Sequence, residues 1–256
     1  MLLGYEVVGS GIGKVVVLHD WFCDHSSYAP MRPYLDKEKF QYAFLDLRGY
    51  GLSSHLEGTY TIEECTVDVL DTVRSLGWDG FSLVCYSMTG LVGQNITAEA
   101  AEQVQRLIAI CPTPPEGMGG LDASFVEFMQ AAATADDSKA AELAHSLTNN
   151  RYGQTWSDFK VRRWRETSNM NARLGYLAMF LNTNIVEKLK AKKISNPVTV
   201  ICTAEDIEGL RKKAVQASFE SCFSNLEVLE LISAGHSPMQ EIPVALATTI
   251  DKTLSK

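Results

Sequence analysis

Short apolar runs recur along the chain at intervals that suit alternating strands and helices. Lys14 to Leu18, Tyr42 to Leu45, Phe81 to Cys85, Leu107 to Ile110, Val198 to Cys202 and Leu226 to Leu231 are compact apolar or β-branched stretches bounded by turn residues. Several are apolar on successive positions rather than on every second one, the pattern of strands buried on both faces of a parallel sheet. Helical spacing appears between them, at Ile62 to Leu76, Leu91 to Ala101, Leu210 to Phe219 and Val244 to Leu254. This order predicts an α/β fold with a doubly wound, mostly parallel sheet.

Two stretches break the alternation. Residues 121 to 193 hold several helical segments rich in Ala, Met and aromatics and no convincing strand, so they read as a helical insertion within a core made of residues 1–120 and 194–256. Before the first buried run, Leu3 to Val8 reads as an antiparallel edge strand. The Gly9-Ser10-Gly11-Ile12-Gly13 segment then reads as a hairpin turn to the next strand. A phosphate loop is the alternative for those glycines, but they lead into a strand and lack the helix N-terminus such loops use.

Composition narrows the function classes. Of 256 residues, 46% are hydrophobic and 21% charged, which supplies a large buried core in one domain. A formal net charge of −8 repels phosphate backbones and anionic surfaces, and the basic clusters near Lys190 and Arg162 are short, so neither nucleic acid nor a membrane is expected as partner. No targeting or membrane-spanning segment stands out, and a cytoplasmic location follows as an expectation. The six cysteines show no CxxC spacing and read as reduced core thiols. A homodimer is admitted by the sequence, which does not fix the oligomeric state.

The chemistry gathers at three loops. Phe81 to Leu91 (FSLVCYSMTGL) is an apolar strand, a compact turn with Ser87 at its apex, and a helix start. A sharp strand-to-helix turn holds such a serine in a strained conformation and requires small residues two before and two after it. Cys85 and Thr89 stand where glycine is usual. Downstream, Pro197 to Asp206 is a buried strand ending in two acids, on the rim where α/β sheets assemble their sites. Ser233 to Pro238 then places His236 in the loop after the last strand. The chain order serine, acid, histidine is one that nucleophile-elbow enzymes use.

These three loops, with Leu18-His19-Asp20-Trp21 and Asp46-Leu47-Arg48-Gly49-Tyr50-Gly51-Leu52-Ser53 in register, resemble the α/β-hydrolase superfamily. The likeness covers the core on both sides of the insertion, which resembles the family only as a helical cap. It implies a Ser87, His236, Asp206 triad, with Glu205 as the fallback acid, and an oxyanion hole from the backbone N–H groups of Trp21 and Met88. It also implies that Asp20 replaces a usual glycine, a change that can disfavour negative charge in the hole or bring proton chemistry to it.

Within that frame His19, Asp20, Tyr86, Phe128, Trp156 and Trp164 are candidate substrate-binding residues, and the aromatics of the insertion favour a small to medium apolar or aromatic substrate. The expected activity is hydrolysis of a carboxylic ester or lactone through an acyl-enzyme, with no cofactor. Carbon–carbon bond hydrolysis and cofactor-free oxygenation on the same scaffold stay open, as does a non-catalytic protein that binds a small ligand. His19, Asp20, Asp24 and His25 are crowded into one loop with no second ligand cluster, so no metal site is expected. Cys85, beside the elbow, is expected to make activity sensitive to bulky thiol reagents.

Overall fold

The computed structural model describes residues Met1–Lys256. Seven strands form one sheet: β1 (Tyr5–Val8), β2 (Gly13–Leu18), β3 (Phe40–Leu45), β4 (Phe81–Tyr86), β5 (Val104–Ile110), β6 (Val198–Thr203) and β7 (Leu226–Leu231), ordered β1-β3-β2-β4-β5-β6-β7. All neighbours are parallel except β1 with β3. Side chains of a strand alternate between faces. Here Val16, Leu18, Leu83, Cys85, Leu107 and Ala109 join the core on one face, and Val15, Val17, Val84, Tyr86, Ile108 and Ile110 join a second core on the other. Two cores explain why the central runs are apolar on successive positions, Ser82 being the polar exception in β4.

Five core helices cover the sheet: α1 (Ile62–Ser75), α2 (Met88–Glu99), α8 (Lys212–Glu220), α9 (Pro238–Glu241) and α10 (Pro243–Leu254). Between β5 and β6 lie five more: α3 (Ala123–Ala133), α4 (Asp137–Ser146), α5 (Gln154–Thr167), α6 (Met170–Asn182) and α7 (Val186–Lys192). Asp122, Asp136 and Asn169 cap α3, α4 and α6 with side-chain oxygens that accept the first free N–H groups, as short polar residues do at N-termini. The last of the five packs on the core, where Lys188 pairs with Glu99 at the end of α2. No helix is long and apolar enough to cross a membrane.

The first strand corrects the hairpin expectation. β1 pairs with β3, in register Tyr5 with Leu45 and Val8 with Tyr42, and does not touch β2 as a hairpin partner. The glycine segment instead passes under the start of β3: Ser10 N–H donates to Lys37 O, Gly11 N–H to Phe40 O and Gly13 N–H to Lys39 O. A Cβ on Gly11 would lie 2.0 Å from the Lys39 carbonyl carbon. The glycines permit close backbone approach in a crossing, not a tight reversal.

The strand order reverses at β2 and β4, since β3 lies outside β2 and β5 outside β4. Loops leaving these two strands diverge and open a crevice at the carboxyl edge, the usual ligand position in such sheets. Asp20 and Trp21 follow β2, and Ser87 follows β4.

Candidate active site

Ser87 sits between β4 and α2 with φ 53° and ψ −114°, a backbone conformation costly for a residue with a side chain. Its N–H donates to Ile110 O, while its carbonyl accepts from Gly90 and Thr113 N–H, so hydrogen bonds to three segments hold the turn. The two departures from glycine are accommodated differently. Gly93, one turn into α2, leaves room for the Cys85 thiol, and a Cβ there would lie 2.5 Å from Sγ. Thr89 accepts from Tyr86 N–H and lies within donating distance of Tyr86 O and Leu18 O, so its hydroxyl latches the helix start to two strands.

Asp206, Ser87 and His236 meet. His236 Nδ1 lies 2.8 Å from Asp206 Oδ2, and His236 Nε2 lies 2.7 Å from Ser87 Oγ. With Nδ1–H donating to the carboxylate, Nε2 is free to accept the serine proton. Both Asp206 and His236 are buried. Burial alone would push the His236 pKa down, but the Asp206 carboxylate, and more weakly Asp20, raise it above the ordinary histidine value. The fallback acid is elsewhere: Glu205 Oε2 accepts from Asn149 Nδ2 at the exposed surface.

The Trp21 and Met88 N–H groups converge, but on a protein atom. Trp21 N–H donates to Asp20 Oδ1 at 2.5 Å and Met88 N–H to the same oxygen at 3.3 Å. The other oxygen, Oδ2, lies 3.6 Å from His236 Nε2. Burial pushes the Asp20 pKa above the ordinary carboxylate range, while His236, Ser87 and the two N–H groups pull it back. The left-handed residue in this loop is Phe22, at φ 67°, and not Asp20. Stacking of Phe22 on Trp164, with ring centroids 4.6 Å apart, accompanies that strained turn.

A cavity opens on Ser87, Asp20 and His236. Most of its wall is apolar: Phe22, Phe125, Met129, Leu143, Trp164 and Phe180 contribute, five of them from α3 to α6. Of the candidate substrate-binding residues, Asp20 and Trp164 line it, and four do not. His19 is buried behind the loop, its ring nitrogens engaged by Asp20 O and Leu47 N–H. Tyr86 packs beside the His236 ring and reaches Ser237 Oγ. Phe128 stacks on the outer side of Phe125, and Trp156 packs against Tyr152 and Phe159. Helical position decides this: Phe125 and Met129, four residues apart, share the cavity stripe of α3, whereas Phe128 falls beside it.

Cys85 departs from the expectation set by its place beside the elbow. Cys85 is fully buried in the core and its thiol is pushed well above the ordinary range, so the folded protein offers it to no bulky reagent. Arg163 and Arg165 turn toward Ser26, Glu166 and Asp137, while the inward-facing cation of α5 is Lys160, which donates to Gln240 Oε1 and Ser237 Oγ beneath Trp156 and Trp164. His25 pairs with Asp46. Sequence reasoning missed Glu241, whose buried carboxylate holds the His236 loop; it stands four positions after the N-cap Ser237, one beyond the capping-box spacing, so no local motif marked it.

The Alpha/beta hydrolase family profile matches residues 15–249, and the chain belongs to that family. Part of the chain is similar to human Serine hydrolase-like protein, 32% identical over 98 residues, which are 38% of this chain and 48% of that protein. It is also similar to a pimeloyl-(acyl-carrier protein) methyl ester esterase of Legionella pneumophila, 33% identical over 106 residues, 41% of this chain and 40% of that one. The matched stretch therefore spans less than half of either relative. Among solved structures, an esterase from Exiguobacterium antarcticum superposes with TM-score 0.86 at 16% identity, covering 98% of this chain and 95% of that one. The enol-lactonase from Burkholderia xenovorans does so with TM-score 0.80 at 20% identity, covering 99% and 96%. These two share the α/β-hydrolase fold with this chain.

Proposed function

We propose that this chain hydrolyses a carboxylic ester or lactone with a small to medium apolar or aromatic acyl part, through an acyl-enzyme on Ser87. The observation that carries this reading is the continuous contact from Asp206 through His236 to Ser87 Oγ at the end of an apolar cavity. His236 Nε2 takes the serine proton as Oγ bonds to the acyl carbon, and Asp206 holds the imidazole in its working tautomer and supports the cation that forms. The same nitrogen returns the proton to the departing alcohol. Water then repeats the sequence and frees the acid.

The wall supports the substrate class. Its polar groups cluster at the serine end, and the remainder offers aromatic and aliphatic contact without charge, which suits an acyl chain or ring better than a sugar or phosphate. Helices α3 to α6 act as a cap over that end of the sheet. The esterase and lactonase names among the similar proteins are in keeping with this chemistry.

A panel of esters and lactones of graded acyl length, run in parallel on wild type and Ser87→Ala, tests the reading. Wild type should prefer apolar acyl groups, Ser87→Ala should lose at least about 10³-fold in kcat/KM, and an organophosphonate should label Ser87. Turnover undiminished in Ser87→Ala would overturn it.

A further inference from the structure

An ester hydrolase needs hydrogen-bond donors aimed at the oxygen that becomes negative, and here the two backbone donors beside Ser87 are already engaged. Both give their protons to Asp20 Oδ1. Asp20 is buried and lines the cavity together with Ser87 and His236. A substrate carbonyl placed for attack by Ser87 must either expel this group or meet its second oxygen, Oδ2, which is turned toward the serine and histidine.

The surroundings decide between these. Ser87 from the elbow and His236 from the last loop face Asp20, and Cys23 from its own loop and the Tyr28, Tyr50 and Tyr86 phenols from three further segments lie within electrostatic reach of it. His236 is in turn faced by Asp206 and Lys160. The one cationic partner within 4 Å of the carboxyl is His236, the group that must be neutral to act as base. An ionised Asp20 beside a neutral imidazole is a buried, unpaired anion located where the reaction itself would put negative charge, and low-dielectric surroundings penalise both. A protonated carboxyl group avoids this and adds a donor.

We propose that Asp20 is a further catalytic residue of the ester cleavage: its protonated carboxyl stands in the oxyanion hole, Oδ1 held by Trp21 and Met88 N–H, and Oδ2–H donates to the substrate carbonyl oxygen. This rests on the Ser87 acyl-enzyme reading above. One proton is shared between Asp20 and His236, while Ser87 keeps its own hydroxyl proton. With it on Asp20, the imidazole accepts the Ser87 hydroxyl and the site is productive. With it on His236, the base is spent and an anion fills the hole. In the productive form the Oγ–C bond forms as the serine proton moves to Nε2, and the carbonyl π pair moves onto oxygen, where Oδ2–H meets it. Collapse returns that pair, breaks the bond to the alkoxy group, and delivers the Nε2 proton to the alcohol. Asp20 ends the cycle with its own proton.

The rate should therefore fall on both sides of an optimum, on the acid side as His236 is protonated and on the alkaline side as Asp20 is ionised. The two limbs belong to the coupled pair. An asparagine reproduces the acid form at every pH, because its oxygen can accept from the two N–H groups while its NH₂ donates.

The test compares pH profiles of kcat and kcat/KM for wild type, Asp20→Asn, Asp20→Gly and Ser87→Ala on one ester from the panel. Wild type should lose tenfold in kcat per pH unit beyond its alkaline limb. Asp20→Asn should keep kcat within tenfold of wild type at the optimum and show no such limb. A wild-type minus Asp20→Asn infrared difference spectrum at the optimum should contain a protonated carboxyl C=O stretch, and an Asp20→Asn variant that folds but loses more than a hundredfold in kcat would count against the donor role. Should Asp20→Asn not fold, Asp20→Gly serves as the reference for both the limb and the spectrum. Coincident profiles of wild type and variant, a spectrum of carboxylate alone, or a hundredfold rise in kcat for Asp20→Gly at every pH would overturn the proposal, the last making Asp20 a plug. Persistent turnover in Ser87→Ala would instead overturn the reading on which it rests.

Discussion

Glu241 brackets His236: its buried carboxylate accepts from Gly235 N–H at 2.8 Å through Oε2 and from Ser237 N–H at 2.9 Å through Oε1. Arg151, from the segment between α4 and α5, pairs with Oε2, and Tyr152 also donates to it. His236 N–H in turn donates to Leu147 O. One carboxylate and one backbone carbonyl thus hold the three successive N–H groups around His236, and the carboxylate ties this loop to the insertion.

Removing that carboxylate should loosen the imidazole without changing the cavity wall. Glu241→Ala is expected to lower kcat by about ten- to a hundredfold with KM little changed, and to cost about 1–3 kcal/mol of stability from two unpaired N–H groups. Glu241→Gln, which keeps acceptor capacity, should recover part of kcat. Steady-state kinetics on folded protein checks this. A loss of stability with kcat intact would make Glu241 structural only.

The elbow gives a second expectation, in which a change normally favourable becomes unfavourable. Gly to Ala inside a helix ordinarily gains about 1 kcal/mol. At Gly93 the added methyl meets Cys85 Sγ at 2.5 Å and Leu107 Cδ1 at 2.9 Å. Overpacking of this kind costs about 1–3 kcal/mol, so Gly93→Ala should lower the urea midpoint. Cys85→Ala combined with it should recover part of the loss, with a coupling of at least about 0.5 kcal/mol. Additive single effects would argue against the pairing. The buried Cys85 thiol should also escape bulky maleimides in the folded protein and react only after unfolding, as read by mass spectrometry.

The same region shows what the sequence could and could not disclose. The largely apolar runs Lys14 to Leu18 and Phe81 to Cys85 reported a parallel sheet buried on both faces, because a core on each side demands apolar residues on successive positions. The pairing of β1 with β3 was hidden, since a glycine-rich link of four residues serves a crossing as readily as a reversal. The loops that carry Ser87, Asp206 and His236 were visible as short motifs at strand ends. The capture of both N–H groups by Asp20 depends on one side-chain rotamer in a folded loop, and local sequence does not encode it. Which aromatics face the cavity depends on the rotation of α3 and α5, which tertiary packing sets.

Ser87 itself should be strained. At φ 53° and ψ −114° a glycine is at ease and a serine is not. Ser87→Gly is expected to abolish turnover while raising the stability by about 1 kcal/mol, whereas Ser87→Ala keeps the strain and gains less. Thermal melts of both variants decide the matter. Equal melting temperatures would mean that the hydrogen bonds of the turn, and not the residue, set its conformation.

His25 and Asp46 supply the pH dependence of stability away from the reacting groups. Asp46 Oδ2 lies 2.6 Å from His25 Nδ1, and the same carboxylate accepts from His25 and Leu52 N–H, so one buried acid joins the loop after β2 to the loop after β3. The hydrogen bond that His25 donates to Asp46 raises the His25 pKa above its ordinary 6.5. Burial works against ionisation of Asp46, yet His25 and the N–H groups hold it below its ordinary 3.8. A raised histidine contributes stability in full below its unfolded pKa and loses it as pH rises through the folded one. A depressed carboxylate contributes above its unfolded pKa and loses it as pH falls through the folded one. The pair is therefore strongest between those two ordinary values. His25→Ala should cost about 2 kcal/mol in that window, and the difference from wild type in urea unfolding should shrink as pH rises past the folded His25 pKa and again in strong acid. A difference that stays constant from about pH 5 to about pH 9 would show that His25 is not charged in the folded protein.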